Sequence, residues 1–157
     1  MTIQLFKPGE EKEIRILIQK VFDEFVGPEY SVRGNLHFYE FIEEKALRDR
    51  FSKVGNHMWT AKENGKIVGV IAIRNRNHLA LLFVEKEQQG KGIGQAMLDH
   101  VISYLQAREG CRIFTVNSSL YAEPIYRKWG FESTKGIQEL EGIKFIPMRL
   151  VTSSKSG

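Results

Sequence analysis

The sequence predicts a mixed α/β domain with a partly antiparallel sheet, and three features carry that expectation. An amphipathic helical stripe stands near the start, an Asn-Gly pair joins two apolar runs, and a strand, a glycine loop and a helix follow one another in the second half. In chain order, EEKEIRILIQKVFDEF puts Ile14, Leu17, Ile18, Val21, Phe22 and Phe25 at three- and four-residue steps, after Pro8-Gly9 and with acids in the first turn. This is a helix. GPEYSVRGN reads as a loop, and LHFYEFIEEKALRDRF as a second helix with Phe38, Phe41 and Ile42 on one side. MWTAKENGKIVGVIAIR reads as a β-hairpin turning at Asn64-Gly65, because both residues tolerate positive φ. The nearly continuous apolar run of HLALLFV marks a central strand covered on both faces. Met97, Leu98, Val101, Ile102 and Leu105 form a helical stripe that ends at Gly110. RIFTVN is a strand, AEPIYRKWGF a short helix with Pro124 in its first turn, and IKFIPMRL a last strand after the turn Glu141-Gly142.

Composition narrows the function classes. The 157 residues, 42% hydrophobic and 27% charged, fit one ordinary globular domain. A net charge of +4 suits an anionic small molecule. Lys and Arg are scattered without interleaved aromatics, so no nucleic-acid partner is expected. The single Cys111 makes no internal disulfide and reads as a small core residue. The N-terminus has no apolar stretch of membrane-spanning or signal length, so the expectation is a soluble cytoplasmic protein without membrane contact. His37, His57, His78 and His100 lack metal-site spacing, and no metal is expected.

The segment FVEKEQQGKGIGQAML, Phe83 to Leu98, has Gly90, Gly92 and Gly94 alternating between an apolar strand and a helix start. Glycines there bare the backbone N–H groups, and the helix dipole adds partial positive charge, the arrangement of a phosphate cradle. A plain turn with capping glycines is the ordinary alternative. The dinucleotide pattern fails, since its third glycine would fall on Gln95 or Met97, and the Walker A pattern fails because Gly92 follows Lys91.

Gln89-Gly90-Lys91-Gly92-Ile93-Gly94 resembles the Gln/Arg-x-x-Gly-x-Gly/Ala signature of the GCN5-related N-acetyltransferase (GNAT) superfamily. LLFVEKEQQGKGIGQAMLDHVISYL resembles that family's fourth strand, loop and third helix, and TVNSSLYAEPIYRKWGF its fifth strand and fourth helix. The order of elements fits from Trp59 to Leu150, whereas the first fifty or so residues carry no diagnostic motif. The resemblance implies a GNAT-like fold, a single mixed and mostly antiparallel sheet flanked by helices with a splayed central strand pair. It would occupy one acetyltransferase domain over 1–151, with a disordered tail at 152–157.

The resemblance further implies acetyl-coenzyme A as acyl donor and a primary amine of a small molecule or peptide as acceptor, attacked directly in a ternary complex. The backbone of Leu82, Phe83 and Val84 would pair with the pantetheine arm, and amides from Gln89 through Gly90, Lys91, Gly92, Ile93 and Gly94 would hold the pyrophosphate. The Val84 N–H would polarise the thioester carbonyl. Lys91 reads equally as a phosphate contact or a solvated lysine, and Asn117 equally as a pantetheine contact or a turn cap. Tyr126 matches the family's helix tyrosine beside the thioester sulfur, a general acid for the leaving thiolate; the ordinary alternative is a core aromatic.

His78 stands four residues before Leu82, at the position where histone-type members of the family, which this stretch resembles in spacing, carry a glutamate as general base. A neutral imidazole can take that role, or His78 simply caps the strand, with Glu85 or ordered water as the other base candidates. Glu43, Glu44, Tyr30 and Tyr39 are available to attract a cationic acceptor but read first as a wet helix face. A homodimer is compatible with the sequence. The alternative function is a catalytically silent, CoA-binding regulatory module of the same fold.

Overall fold

The apolar pattern resolves into two layers of helices on one sheet. The computed structural model describes residues 1–152; the expected tail at 152–157 lies outside the described residues apart from Thr152. The strands are β1 (Thr2–Leu5), β2 (His57–Glu63), β3 (Lys66–Arg74), β4 (His78–Val84), β5 (Ile113–Ser118), β6 (Glu132–Ser133), β7 (Gln138–Leu140) and β8 (Ile143–Val151). The helices are α1 (Glu11–Phe25), α2 (Val32–Phe41), α3 (Glu44–Arg50), α4 (Ile93–Glu109) and α5 (Glu123–Lys128). The sheet runs β1-β2-β3-β4-β5-β8-β6, with β7 also on β8, and every pairing is antiparallel except β4 with β5.

Residue alternation along the strands assigns each face a helix layer. On one face α4 and α5 bury Met97, Val101, Leu105 and Tyr126 against Ile71, Leu79, Phe114, Val116 and Met148. On the other, α1 and α3 bury Ile14, Ile18, Val21 and Leu47 against Met58, Val70, Ala72 and Leu81. That second cluster draws no described residue from β5 or β8. The sheet is therefore left bare of helix core over β5 and β8 on the α1 side.

Several local expectations change. The stretch read as a loop and one long helix is a 3-10 turn at Gly27–Glu29 followed by two helices. Ser31 caps α2, accepting a hydrogen bond from the Gly34 N–H at 3.0 Å, so the helix begins four residues earlier than its apolar spacing suggests. Gly34 has no side chain for a packing reason: a Cβ there would sit 2.6 Å from the Gly142 carbonyl oxygen, where α2 rests on the β7–β8 turn. The break between α2 and α3 comes at Glu43, whose backbone is extended, and Arg50 Nη1 donates to the freed Phe41 carbonyl at 2.8 Å. β1, β6 and β7 are additional strands. Each is four residues or shorter, too short to show a strand alternation of its own, so its partner rather than its own sequence fixes it. The Asn64-Gly65 and Glu141-Gly142 turns both have positive φ at both residues, the geometry tight hairpins need.

Candidate active site

β4 and β5 pair in parallel at His78–Thr115 and Leu79–Val116 and at no later position, so the two strands part company toward their C-terminal ends. A bulge sharpens this departure. Ala72 faces Leu81 and Ile73 faces Leu79, which leaves Ala80 as an extra residue in β4. Beyond the bulge the register with β3 decides which backbone groups are free. The Glu85 N–H donates to the Val68 carbonyl at 2.8 Å, so Glu85, Phe83 and Leu81 spend their amides on β3 while Leu82 and Val84 turn theirs into the gap. Phe83 thus has no spare backbone group, and its side chain lies on the α1 face, 5.9 Å between ring centroids from Phe38.

The glycine loop closes the wide end of the gap. Gln89 Nε2 donates to the Val84 carbonyl at 3.0 Å, tying the loop to the end of β4. Gly90 and Gly92 have φ of +81° and +84°, and Gly92 caps α4 in the left-handed conformation with no side-chain acceptor. A Cβ at either would meet no heavy atom within 4 Å, so the space before them is open. The first helical bond of α4 runs from the Ala96 N–H to the Gly92 carbonyl. Among the described residues, the N–H groups from Gly90 to Gln95 have no acceptor. They gather at the positive end of a 17-residue helix, which is an anion site in composition and geometry. Lys91 is exposed and extends toward Gln88, 3.5 Å away, while Ile93 is buried in the α4 core.

Gly94 serves packing instead of phosphate access. A Cβ on it would lie 3.1 Å from Trp129 Cη2 and 3.7 Å from Val84 Cγ2, so the first turn of α4, the end of α5 and the end of β4 meet there. By sequence Trp129 reads only as a core aromatic like Phe131; its contact with the loop helix depends on tertiary placement.

Tyr126 is buried, edge-on to Trp129 at 5.8 Å and to Phe131 at 5.3 Å. Its hydroxyl makes no hydrogen bond to protein among the described residues, and burial pushes the phenol well above its ordinary range, keeping it protonated. Asn117 is exposed on β5, on the α1 face, with Pro147 opposite it on β8.

His78 starts β4 at the closed end of the gap, where its Nδ1 lies 2.8 Å from Thr115 Oγ1. Burial, and secondarily the Arg74 charge, pull the imidazole down to about 4, so it is neutral near pH 7. Such a group is a feeble proton acceptor, and the geometry favours a strand-end role. The residues considered for drawing in a cationic acceptor are mostly engaged elsewhere: Glu44 pairs with Arg15 at 3.6 Å, Tyr39 donates to Asp23, and Tyr30 packs edge-on to Phe22, pushed up to about 12 by burial and then by Glu29. Glu85 is held by Lys20 at 3.1 Å.

A family model described as an acetyltransferase (GNAT) domain matches residues 26–152. The chain belongs to the GNAT acetyltransferase family. Acetyl transfer, in general to amine acceptors, is the reaction class of that family. A curated relative, the UPF0157 protein YqkA of Bacillus subtilis (strain 168), is 28% identical over 97 residues, 60% of this chain. The chain spans 28% of that relative's length. Among solved structures, a GCN5-related N-acetyltransferase from Rhodopseudomonas palustris superposes with a TM-score of 0.82 at 19% identity, covering 96% of this chain and 94% of that one. The PaiA N-acetyltransferase of Thermoplasma acidophilum, solved in complex with coenzyme A, superposes with a TM-score of 0.77 at 16% identity, covering 96% and 99%. Both likenesses concern the fold, a mixed α/β sheet flanked by helices. Among the described residues no helix is long and apolar enough to cross a membrane.

Proposed function

We propose that this GNAT protein is an acetyl-CoA-dependent N-acetyltransferase that moves the acetyl group directly to a primary amine of a small molecule or peptide. The observation that carries the reading is the run of unaccepted N–H groups from Gly90 to Gln95 standing beside the unpaired edge of β4. The site fits the donor: open space before Gly90 and Gly92 admits phosphate oxygens, and the backbone of Leu82, with the N–H of Val84, faces the gap in which the pantetheine arm and thioester would lie.

The bound donor supplies an activated acyl carbon on a thioester. The chain's own groups then divide the work. A backbone N–H at the gap, that of Val84 in this proposal, donates to the carbonyl oxygen as negative charge builds there, and its attachment to a paired strand means little reorganisation is needed. The amine must arrive neutral, because an ammonium has no lone pair. Its nitrogen forms the new C–N bond as the C–S bond breaks, the sulfur leaves with that electron pair, and the amine proton passes to water. Tyr126, protonated throughout the neutral range, hydrogen-bonds the departing sulfur. A phenol raised above pKa ~10 gives up its proton to a thiol of pKa ~8.5 only against the gradient, so stabilisation by the hydrogen bond is the larger part of its role.

Acetyl-CoA incubated with a panel of polyamines, amino acids, aminoglycosides and peptides, with free thiol as readout, tests the function. Amine-dependent thiol release supports it. Donor binding without release for any amine would leave the silent CoA-binding module as the reading. This reading places the protein in a compartment supplied with acetyl-CoA, and the cytoplasm is the one we propose.

A further inference from the structure

Donor and acceptor meet from opposite faces of the sheet. The glycine cradle and Tyr126 lie on the α4 side, so the thioester enters the β4–β5 gap from there and the approach left to the amine is the α1 face. Two ion pairs place the end of α1 over the end of β4 on that face: Lys20 meets Glu85 at 3.1 Å and Glu24 meets Lys86 at 2.7 Å, the two residues that follow Val84. From there the chain crosses the wide end of the gap as a strap. Its 3-10 turn is tied to the loop after β5, where Glu29 Oε1 accepts from the Tyr121 N–H at 3.1 Å. Its helix α2 is tied to the β7–β8 turn, where the Ser31 N–H donates to the Gly142 carbonyl at 3.0 Å and Glu141 holds Arg33 at 3.1 Å and His37 at 2.9 Å.

Where this strap meets the gap, the side chains are aromatic. Phe83 directly precedes Val84, whose N–H is assigned to the reacting carbonyl, and its ring lies 5.9 Å from that of Phe38 on α2 at a tilt of 50°. Phe25, at the end of α1, stacks on Tyr121 at 5.0 Å and so joins the β4 side of the gap to the loop after β5. None of these four rings is sealed in the core: Phe25, Phe38 and Phe83 are half-buried and Tyr121 is 39% exposed. Each leaves apolar surface in water beside the reacting position, which an apolar ligand would cover.

The carboxylates around this wall are spent on holding it. Glu24 and Glu85 have lysine partners, Asp23 accepts from the Tyr39 hydroxyl, and Glu29 accepts from the Tyr121 N–H. A second ammonium group on the acceptor would have to compete with those partners, whereas a ring meets rings in the tilted and stacked arrangements they favour. We infer that Phe83, Phe38, Phe25 and Tyr121 hold the body of the acceptor, a small primary amine with an aromatic ring on a short tether. The tether is short because Phe83 and Val84 are neighbours, about 3.3 Å apart along the strand.

The assignment rests on the transferase reading, and its test separates the two. Thiol release is measured with 2-phenylethylamine, 2-cyclohexylethylamine, ethylamine and cadaverine, with kcat/KM corrected for each amine's neutral fraction. 2-Phenylethylamine should exceed ethylamine and cadaverine by roughly ten- to a hundredfold, the range for burying one aromatic side chain, and the saturated ring by several-fold, the margin that ring–ring geometry adds. F83L and Y121A should each lower the ratio of 2-phenylethylamine to ethylamine several-fold, whereas general loss of folded enzyme scales both rates alike. No preference over ethylamine, a preference for cadaverine or the saturated ring, or an unchanged ratio in F83L overturns the assignment. Failure of every amine would instead overturn the transferase reading. In that case calorimetry on the CoA complex with N-(2-phenylethyl)acetamide and N-ethylacetamide still decides: tighter binding of the aromatic amide, reduced in F83L, supports the aromatic wall, and equal affinity refutes it.

Discussion

Replacing Gly92 with alanine separates the anion-binding role of the loop from its structural role, because α4 carries an internal control at its other end. Gly92 and Gly110 cap the helix with φ of +84° and +66°, and a Cβ on either would meet no heavy atom within 4 Å. Alanine therefore costs the same at both: about 1 kcal/mol for the left-handed backbone, with no clash to add. For a chain of this size that corresponds to a fall of about 2–4 °C in Tm. Only at Gly92 does the new methyl project into the space proposed for phosphate oxygens. The G92A protein should lose at least about tenfold in affinity for CoA, or ~1.4 kcal/mol, while G110A binds like the parent. Thermal unfolding measures the first quantity and calorimetry with CoA the second. If G92A bound CoA as tightly as G110A at matched destabilisation, the cradle assignment would be wrong.

Tyr126→Phe should keep CoA affinity and lower kcat by roughly ten- to a thousandfold, and since burial holds the phenol above its ordinary range the parent rate should not fall between pH 8 and about 10. An unchanged kcat would return Tyr126 to a packing role. For His78, the folded imidazole near 4 takes up a proton later than the unfolded one near 6.5, so its contribution to stability is present above pH 6.5 and is lost as pH falls toward 4. His78→Gln should flatten the acid side of a Tm-against-pH curve and leave the pH–rate profile near neutrality superimposable on the parent's; loss of a rate limb near pH 6.5 would restore His78 as the base. Gly34→Ala brings a Cβ within 2.6 Å of the Gly142 carbonyl oxygen and should destabilise by about 1–3 kcal/mol, whereas full stability would mean that α2 is not docked on the β7–β8 turn.

The cofactor half of the fold was readable because its elements are long and locally specified. The Asn64-Gly65 turn, the apolar run of β4 and the stripe from Met97 to Leu105 each announce their own conformation, and Gly110 its end. What escaped depended on partners distant in sequence. β7 exists because β8 offers an edge across the Glu141-Gly142 turn, and the start of α2 follows from the Ser31 cap and the contact with Gly142, features of little periodicity. The same limit applies in the site. Leu82 and Val84 could be distinguished from Phe83 only after the register with β3 was known, and the bulge at Ala80 leaves no mark in an unbroken apolar run.

Amide hydrogen exchange, followed residue by residue with and without CoA, tests the central claim most directly because it reads the proposed donors themselves. Leu82, Val84 and the amides from Gly90 to Gln95 should exchange rapidly in the free protein and become protected when CoA binds. Phe83, already bonded to β3, should be slow in both states. Binding of CoA with no protection at Leu82, Val84 or the loop, or with protection concentrated elsewhere in the chain, would contradict the account.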